Sequence, residues 1–124
     1  MTTVHTTEVA DRFLESLSRR DFVALGSTFA ENGLLRGLVP SALREAEGRD
    51  AIAERFAIWN DAEDWQLLES DVGPVADMLR IRWCVSSTDS AGGPVVFEQT
   101  AYAEIGDGGI TRMNLVCSGE RPAA

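Results

Sequence analysis

The apolar positions follow a helical period in the first half of the chain and alternate in the second. Val9, Phe13 and Leu17, with Ala10 and Leu14 beside them, make a stripe that predicts a first helix. Thr6 or Thr7 can cap its start, and Glu8 suits its first turn. The tripeptide "RRD" breaks the pattern, and Asp21 is placed to cap a second helix bearing Phe22, Leu25 and Phe29. That helix is predicted to stop at "ENG", with Gly33 as a left-handed cap. "LLRGLV" reads as a short strand ending at Pro40, and "PSALREAEG" has no period and reads as a loop. Asp50 is expected to cap a third helix, "AIAERFAIWN", with Ile52, Phe56 and Trp59 on one face. After "DAED" the pattern becomes that of strands: "WQLLESDV" up to the breaker "GPVAD", then "MLRIRWCVSS", "VVFEQTAYAEI" and "ITRMNLVCSG". Helices followed by a run of antiparallel strands predict an α+β domain spanning residues 1–124.

The strand "VVFEQTAYAEI" poses the main question. Val95, Phe97, Gln99, Ala101, Ala103 and Ile105 share its apolar face, yet the middle of that face holds an amide and two minimal side chains. Across "TDSAGGP" the best matching of faces sets Leu79 opposite Ala101, Ile81 opposite Gln99, Trp83 opposite Phe97 and Arg82 opposite Glu98. Across "GDGG" it sets Glu104 opposite Arg112, Ala103 opposite Met113, Ala101 opposite Leu115 and Gln99 opposite Cys117. The alanines would then leave room between sheet and helices, with Gln99 as a polar spot in that room.

Composition narrows the chemistry. The 124 residues carry a formal charge of −9, which argues against nucleic acid and anionic membranes. No apolar run reaches the roughly 20 residues that span a bilayer. The N-terminus "MTTVHTTEVADRF" lacks the pattern of a signal peptide, so a cytoplasmic location is expected. There is no lysine among the eleven basic residues, which excludes Schiff-base and phosphate-loop lysine chemistry. His5 is the single histidine, so a Ser-His or Cys-His pair and a histidine-based metal site are not expected. Cys84 and Cys117 form no CxxC motif and are expected as free thiols. No metal and no cofactor are implied, and carboxylates are left as the acids and bases.

The segments "VADRFLESLSRRDFVALGSTFAENG" and "GRDAIAERF", followed by "LRIRWCV" and a hairpin over "GDGG", resemble the NTF2-like superfamily and its SnoaL-like group. The resemblance covers roughly Val9 to Cys117. It implies a cone in which a curved sheet wraps helices around an internal pocket. Members of that superfamily include ketosteroid isomerases, polyketide cyclases, epoxide hydrolases, dehydratases, and transport or scaffold proteins. The chain departs from their catalytic patterns. Where ketosteroid isomerases hold a tyrosine, an aspartate base and a second acid, the matching positions are Phe13, Gly37 and Thr100 or Ala101. The histidine and aspartate of aldol cyclases have no match around Arg112, Met113 and Asn114. Arg82 and Glu98 imitate part of an epoxide-hydrolase cluster, but they fall on the convex face.

The expectations are therefore these. Glu45, in the irregular loop, is the candidate general base, since a carboxylate entering an apolar pocket has a raised pKa. Gln99, Cys117 and Arg36 are the candidate polar contacts, and Phe13, Phe56, Trp59, Trp83, Phe97, Ala101, Met113 and Leu115 are the apolar lining or core. Arg82 with Glu98, Arg112 with Glu104, and Tyr102 between them are expected on an outer face suited to a homodimer. The function expected is binding of a small apolar, polyketide-like organic ligand, with cofactor-free isomerase, cyclase or dehydratase activity. The alternatives are a non-catalytic binding protein and a homodimeric interaction subunit.

Overall fold

The computed structural model describes the backbone of residues 2–123 and the side chains of residues 7–123, so the side chain of His5 lies outside the described residues. Three helices and seven strands follow in the order α1 (Thr2–Ser18), α2 (Phe22–Gly26), β1 (Phe29–Val39), β2 (Ala42–Glu47), α3 (Arg49–Trp59), β3 (Gln66–Val75), β4 (Met78–Thr88), β5 (Pro94–Gly106), β6 (Gly109–Cys117) and β7 (Arg121–Pro122). The strands form one sheet in the order β2-β1-β6-β5-β4-β3, with β7 added to β5, and β2 and β3 remain its open edges. All pairings are antiparallel except that of β1 with β6. This is the α+β layering expected from the order of periodicities.

The helices pack on one face of the sheet through the expected stripes. Val9, Ala10, Phe13 and Leu17 of α1 and Ile52 and Phe56 of α3 are buried, against Leu35, Ile81, Trp83, Ala101, Met113 and Leu115 of the sheet. Aromatic rings hold the centre: Phe13 lies 5.3 Å from Trp83, 5.6 Å from Phe56 and 6.3 Å from Phe29, centroid to centroid. These are edge-on or tilted pairs, the geometries that ring quadrupoles favour. Behind them Arg20 donates to the carbonyls of Asn60 (3.3 Å) and Ala62 (2.6 Å) and lies over the Trp65 ring. Trp65 Nε1 donates in turn to Asn60 Oδ1 at 2.7 Å, so the α1–α2 turn is pinned to the end of α3.

Several local expectations are corrected. Helix α1 starts at Thr2, so Thr6, Thr7 and Glu8 fall within it and do not form its cap. Asp21 does cap α2, accepting from the Ala24 N–H at 3.1 Å. That helix ends at Gly26; Phe29 opens β1, and Gly33 lies within β1 where its pairing with β6 shifts register. "PSALREAEG" is not a loop, because β2 pairs with β1 from Leu34↔Glu47 to Val39↔Ala42. As an edge strand with polar residues on both faces, β2 carries no alternation to read. Gly48, not Asp50, is the N-cap of α3, and Asp50 sits in its first turn. Strand β3 continues through Gly73 and Pro74, which an edge strand tolerates.

The β5–β6 register is as expected, including Gln99↔Cys117, Ala101↔Leu115 and Glu104↔Arg112. The β4–β5 register differs by two residues. Leu79 pairs with Ala103, Ile81 with Ala101, Trp83 with Gln99, Val85 with Phe97, and Arg82 faces Thr100. The cause is the turn. Asp89 Oδ1 accepts from the N–H groups of Ala91 (3.0 Å) and Gly93 (2.8 Å), which lets the ladder close at Thr88↔Pro94. A slip of two keeps every side chain on its expected face.

Candidate functional site

A cavity of about 570 Å³ opens beside Gln99, lined by Val39, Pro40, Trp59, Phe97, Gln99, Cys117 and residues 118–120. Each wall has a local cause. Strands β5 and β6 bring Gln99 and Cys117 side by side, as their pairing was expected to do. Trp59, at the end of α3, lies across Gly37 of β1: a Cβ there would stand 2.7 Å from the indole Cη2, so only glycine admits the ring. The rim is built after β6. Ser118 pairs with Glu98 through its N–H (2.8 Å to Glu98 O) and its hydroxyl (accepting from Glu98 N–H at 2.9 Å). The chain then turns at Gly119, with φ 83°, a conformation that glycine adopts without cost, and returns as β7 along β5.

Gln99 is only 2% exposed, and its polarity is fixed. The Nε1–H of the fully buried Trp83 donates to Gln99 Oε1 at 3.0 Å. An indole nitrogen only donates, so the oxygen of the amide must face Trp83 and the NH2 must face the other way. That NH2 has no hydrogen-bond partner among the described residues. Among them Arg80 Nε is the one fully buried side-chain nitrogen or oxygen lacking a partner. Gln99 Nε2 therefore keeps access to the cavity that its side chain lines. Cys117 is a half-buried free thiol whose Sγ accepts from the Gly119 N–H at 3.5 Å. Glu120 is the carboxylate among the lining residues, and no basic residue is among them.

Of the residues singled out in the sequence, the structure brings Gln99, Cys117, Trp59 and Phe97 together at this cavity. Phe13, Phe56, Trp83, Ala101, Met113 and Leu115 are buried in the core and do not line it. Glu45 and Arg36 are elsewhere. They pair across β1 and β2 at 3.0 Å, with half or more of each side chain exposed, on the sheet face away from the helices. Strand β2 carries Glu45 outward, so it does not line the cavity beside Gln99; with Arg36, Glu47 and Arg112 it lines a separate hollow of about 480 Å³. Val39, Pro40, Ser118, Gly119 and Glu120 were not anticipated. Their signal is weak: a proline ending one strand, and a Ser-Gly pair ending another.

The outer face carries a separate charged network. Arg82 donates to Glu69 (2.7 Å), Asp71 (2.9 Å) and Glu98 (3.0 Å), and Arg80 donates to Asp71 (3.0 Å). The hydrogen bond from Arg82 holds the Asp71 carboxyl below the usual carboxylate range, partly opposed by desolvation and reinforced by Arg80. The carboxylates of Glu69 and Asp71 raise the pKa of Arg82 in return. Arg82 thus bridges β3, β4 and β5 from the convex side. Glu104 and Arg112 face each other in register on the same side.

A second cavity, of about 490 Å³, lies at the other end of β5 against the residues 105–109 turn. Its buried polar side chain, Thr28, already donates to Leu25 O at 2.7 Å. Among the described residues no group of three or more His, Cys, Asp and Glu side chains is placed to hold a metal, and no helix is long and apolar enough to cross a membrane.

No protein-family model and no curated protein sequence matches the chain. Solved structures do. A protein from Xanthomonas campestris pv. campestris named as a polyketide cyclase is 22% identical, with a TM-score of 0.70 over 90% of this chain and 88% of that one. A second protein so named, from Sinorhizobium meliloti, is 26% identical, with a TM-score of 0.62 over 87% and 93%. A ketosteroid isomerase-like protein from Catenulispora acidiphila, solved with trimethylamine, is 17% identical, with a TM-score of 0.70 over 89% and 85%. These likenesses establish the fold: the chain has the α+β fold of the NTF2-like and ketosteroid isomerase-like proteins, with three helices on an open curved sheet.

Proposed function

We propose that the protein binds a small, mostly apolar organic molecule in the cavity beside Gln99, and that it converts this molecule without a cofactor by isomerisation, cyclisation or dehydration. The observation that carries the reading is a buried amide whose NH2 is left without a partner beside a cavity walled by Trp59 and Phe97. Small-molecule sites combine such apolar walls with a few convergent polar groups. Neighbours in structure that are named as polyketide cyclases fit a ligand of this kind. Catalysis would rest on positioning the ligand and on one carboxylate acting as acid or base. Glu120, which lines the cavity, takes the role in place of the distant Glu45. Non-catalytic binding is the second reading, favoured by Phe13 and Gly37 standing where ketosteroid isomerases carry reactive groups.

The protein is further proposed to act as a single domain, in the cytoplasm, and as a homodimer through the convex sheet face. Leu43, Leu38 and Val116 form a row there across β2, β1 and β6, each about half exposed. Native mass spectrometry of protein purified from its own source tests the central reading. A retained organic molecule of matching size supports it, and conversion of that molecule that stops in Glu120→Gln, with binding intact, supports catalysis. Turnover that survives Glu120→Gln but stops in Glu45→Gln would return the role to Glu45. Bare protein that also fails to take up small aromatic probes would overturn the reading.

A further inference from the structure

The proposed cavity has a polarity, and the residue that sets it does not line it. Resting on the reading of the Gln99 cavity as a ligand site, we infer that Trp83 is a specificity-determining positioning residue, which makes the site select neutral ligands bearing a hydrogen-bond acceptor such as a ring carbonyl. The chain of causes starts with the register. The turn at Asp89 sets Trp83 directly opposite Gln99 on β4 and β5. Both side chains point toward the helices, where Trp83 is held between Phe13 and Phe56 with no exposed surface. Its Nε1–H lies 3.0 Å from Gln99 Oε1.

A free glutamine amide can turn over and offer either its oxygen or its NH2 to a ligand. This one cannot turn without setting its NH2 against the Trp83 N–H, donor against donor, in a buried place. The cavity therefore offers a donor at Gln99. A carbonyl oxygen satisfies Gln99 Nε2. A ligand whose only polar group is a donor-only N–H leaves Nε2 unmet and loses its own bond with water. With no basic residue among the lining and Glu120 at the rim, the acceptor belongs to a neutral group and not to a carboxylate. Phe97 and Trp59 supply the flat apolar walls for the ring that carries it.

Three bicyclic probes of one shape test this: 1-indanone, which only accepts; indole, whose N–H only donates; and indane, which does neither. Their dissociation constants are measured by titration, with contact at the cavity read from the Trp59 indole resonance. The wild-type protein should bind 1-indanone roughly tenfold more tightly than indole, with indane between them or near indole. Trp83→Phe removes the N–H and frees the amide to present either end, so the ratio of 1-indanone to indole should fall to within about twofold. Replacing Trp83 with benzothienylalanine, which keeps the ring and loses only the N–H, should do the same and guards against misfolding of the phenylalanine variant. A purely structural Trp83 would weaken all three probes together and leave the ratio alone, which overturns the inference. Equal wild-type binding of the three probes overturns it too, while the cavity stands as a ligand site. Failure of every probe to bind removes both.

Discussion

The Trp83–Gln99 bond joins the core to the candidate site, and its energy can be isolated by a double-mutant cycle. Gln99→Leu leaves the fully buried Trp83 N–H without a partner. An unmet buried donor costs about 1–3 kcal/mol. Trp83→Phe leaves Gln99 Oε1 unmet and also opens a void beside Phe13 and Phe56. Together these should cost about 2–4 kcal/mol. In the double variant both polar groups are gone and only the packing loss remains. Its destabilisation should fall short of the summed single effects by about 1–2 kcal/mol. The assay is urea unfolding at one fixed protein concentration, so that association contributes equally to each variant. On heating, Gln99→Leu should lower Tm by about 4–12 °C for a domain of this length. Additivity of the two single changes to within about 0.5 kcal/mol would refute a direct bond between these side chains.

Gly37→Ala places a methyl group 2.7 Å from Trp59 Cη2, so the ring must move. It should cost about 1–3 kcal/mol and shift the Trp59 resonances while leaving those of Trp65 in place; unchanged Trp59 signals would contradict the packing. Arg20→Met removes two bonds to carbonyls at the end of α3. A loss of about 1.5–3 kcal/mol in urea unfolding is expected, and a change below about 0.5 kcal/mol would mean that the pinning does not matter. Asp71 has a folded pKa below its unfolded value, so it binds its proton more readily when unfolded. Its contribution to stability is therefore complete above the ordinary carboxylate range and is lost as pH falls through the folded pKa; Arg82→Met should flatten that acid limb of the stability profile. Val116→Glu, on the convex row with Leu38 and Leu43, should shift sedimentation from dimer to monomer, whereas a monomeric wild-type protein would remove the dimer from the account.

The fold was legible because burial dictated the periods. The α1 stripe at Val9, Phe13 and Leu17 and the alternation of β4 and β5 reappear as the two sides of the core. The β5–β6 register was legible because a one-residue slip would have brought Arg112 to the apolar face. The β4–β5 register was not, because a shift of two leaves the faces unchanged and the deciding detail is the Asp89 turn. That shift hid the Trp83–Gln99 bond, and with it the polarity of the amide. Strand β2 escaped notice because an edge strand with half-exposed faces carries no burial pattern, and reading it as a loop hid that Glu45 pairs with Arg36 and does not line the cavity beside Gln99. The rim at residues 118–120 depends on a return of the chain along β5, which two residues of β7 cannot announce.

The proposed ligand site depends on the Gln99 NH2 being an unoccupied donor that faces the cavity. It is tested most directly by following side-chain amide and indole resonances while 1-indanone is added to the wild-type protein. The Gln99 Nε2 protons should shift on binding, together with the Trp59 signals, while the Trp83 Nε1 proton stays near its starting position. Saturable binding that leaves the Gln99 amide unmoved, or a Gln99 NH2 already bonded within the free protein, would contradict the account.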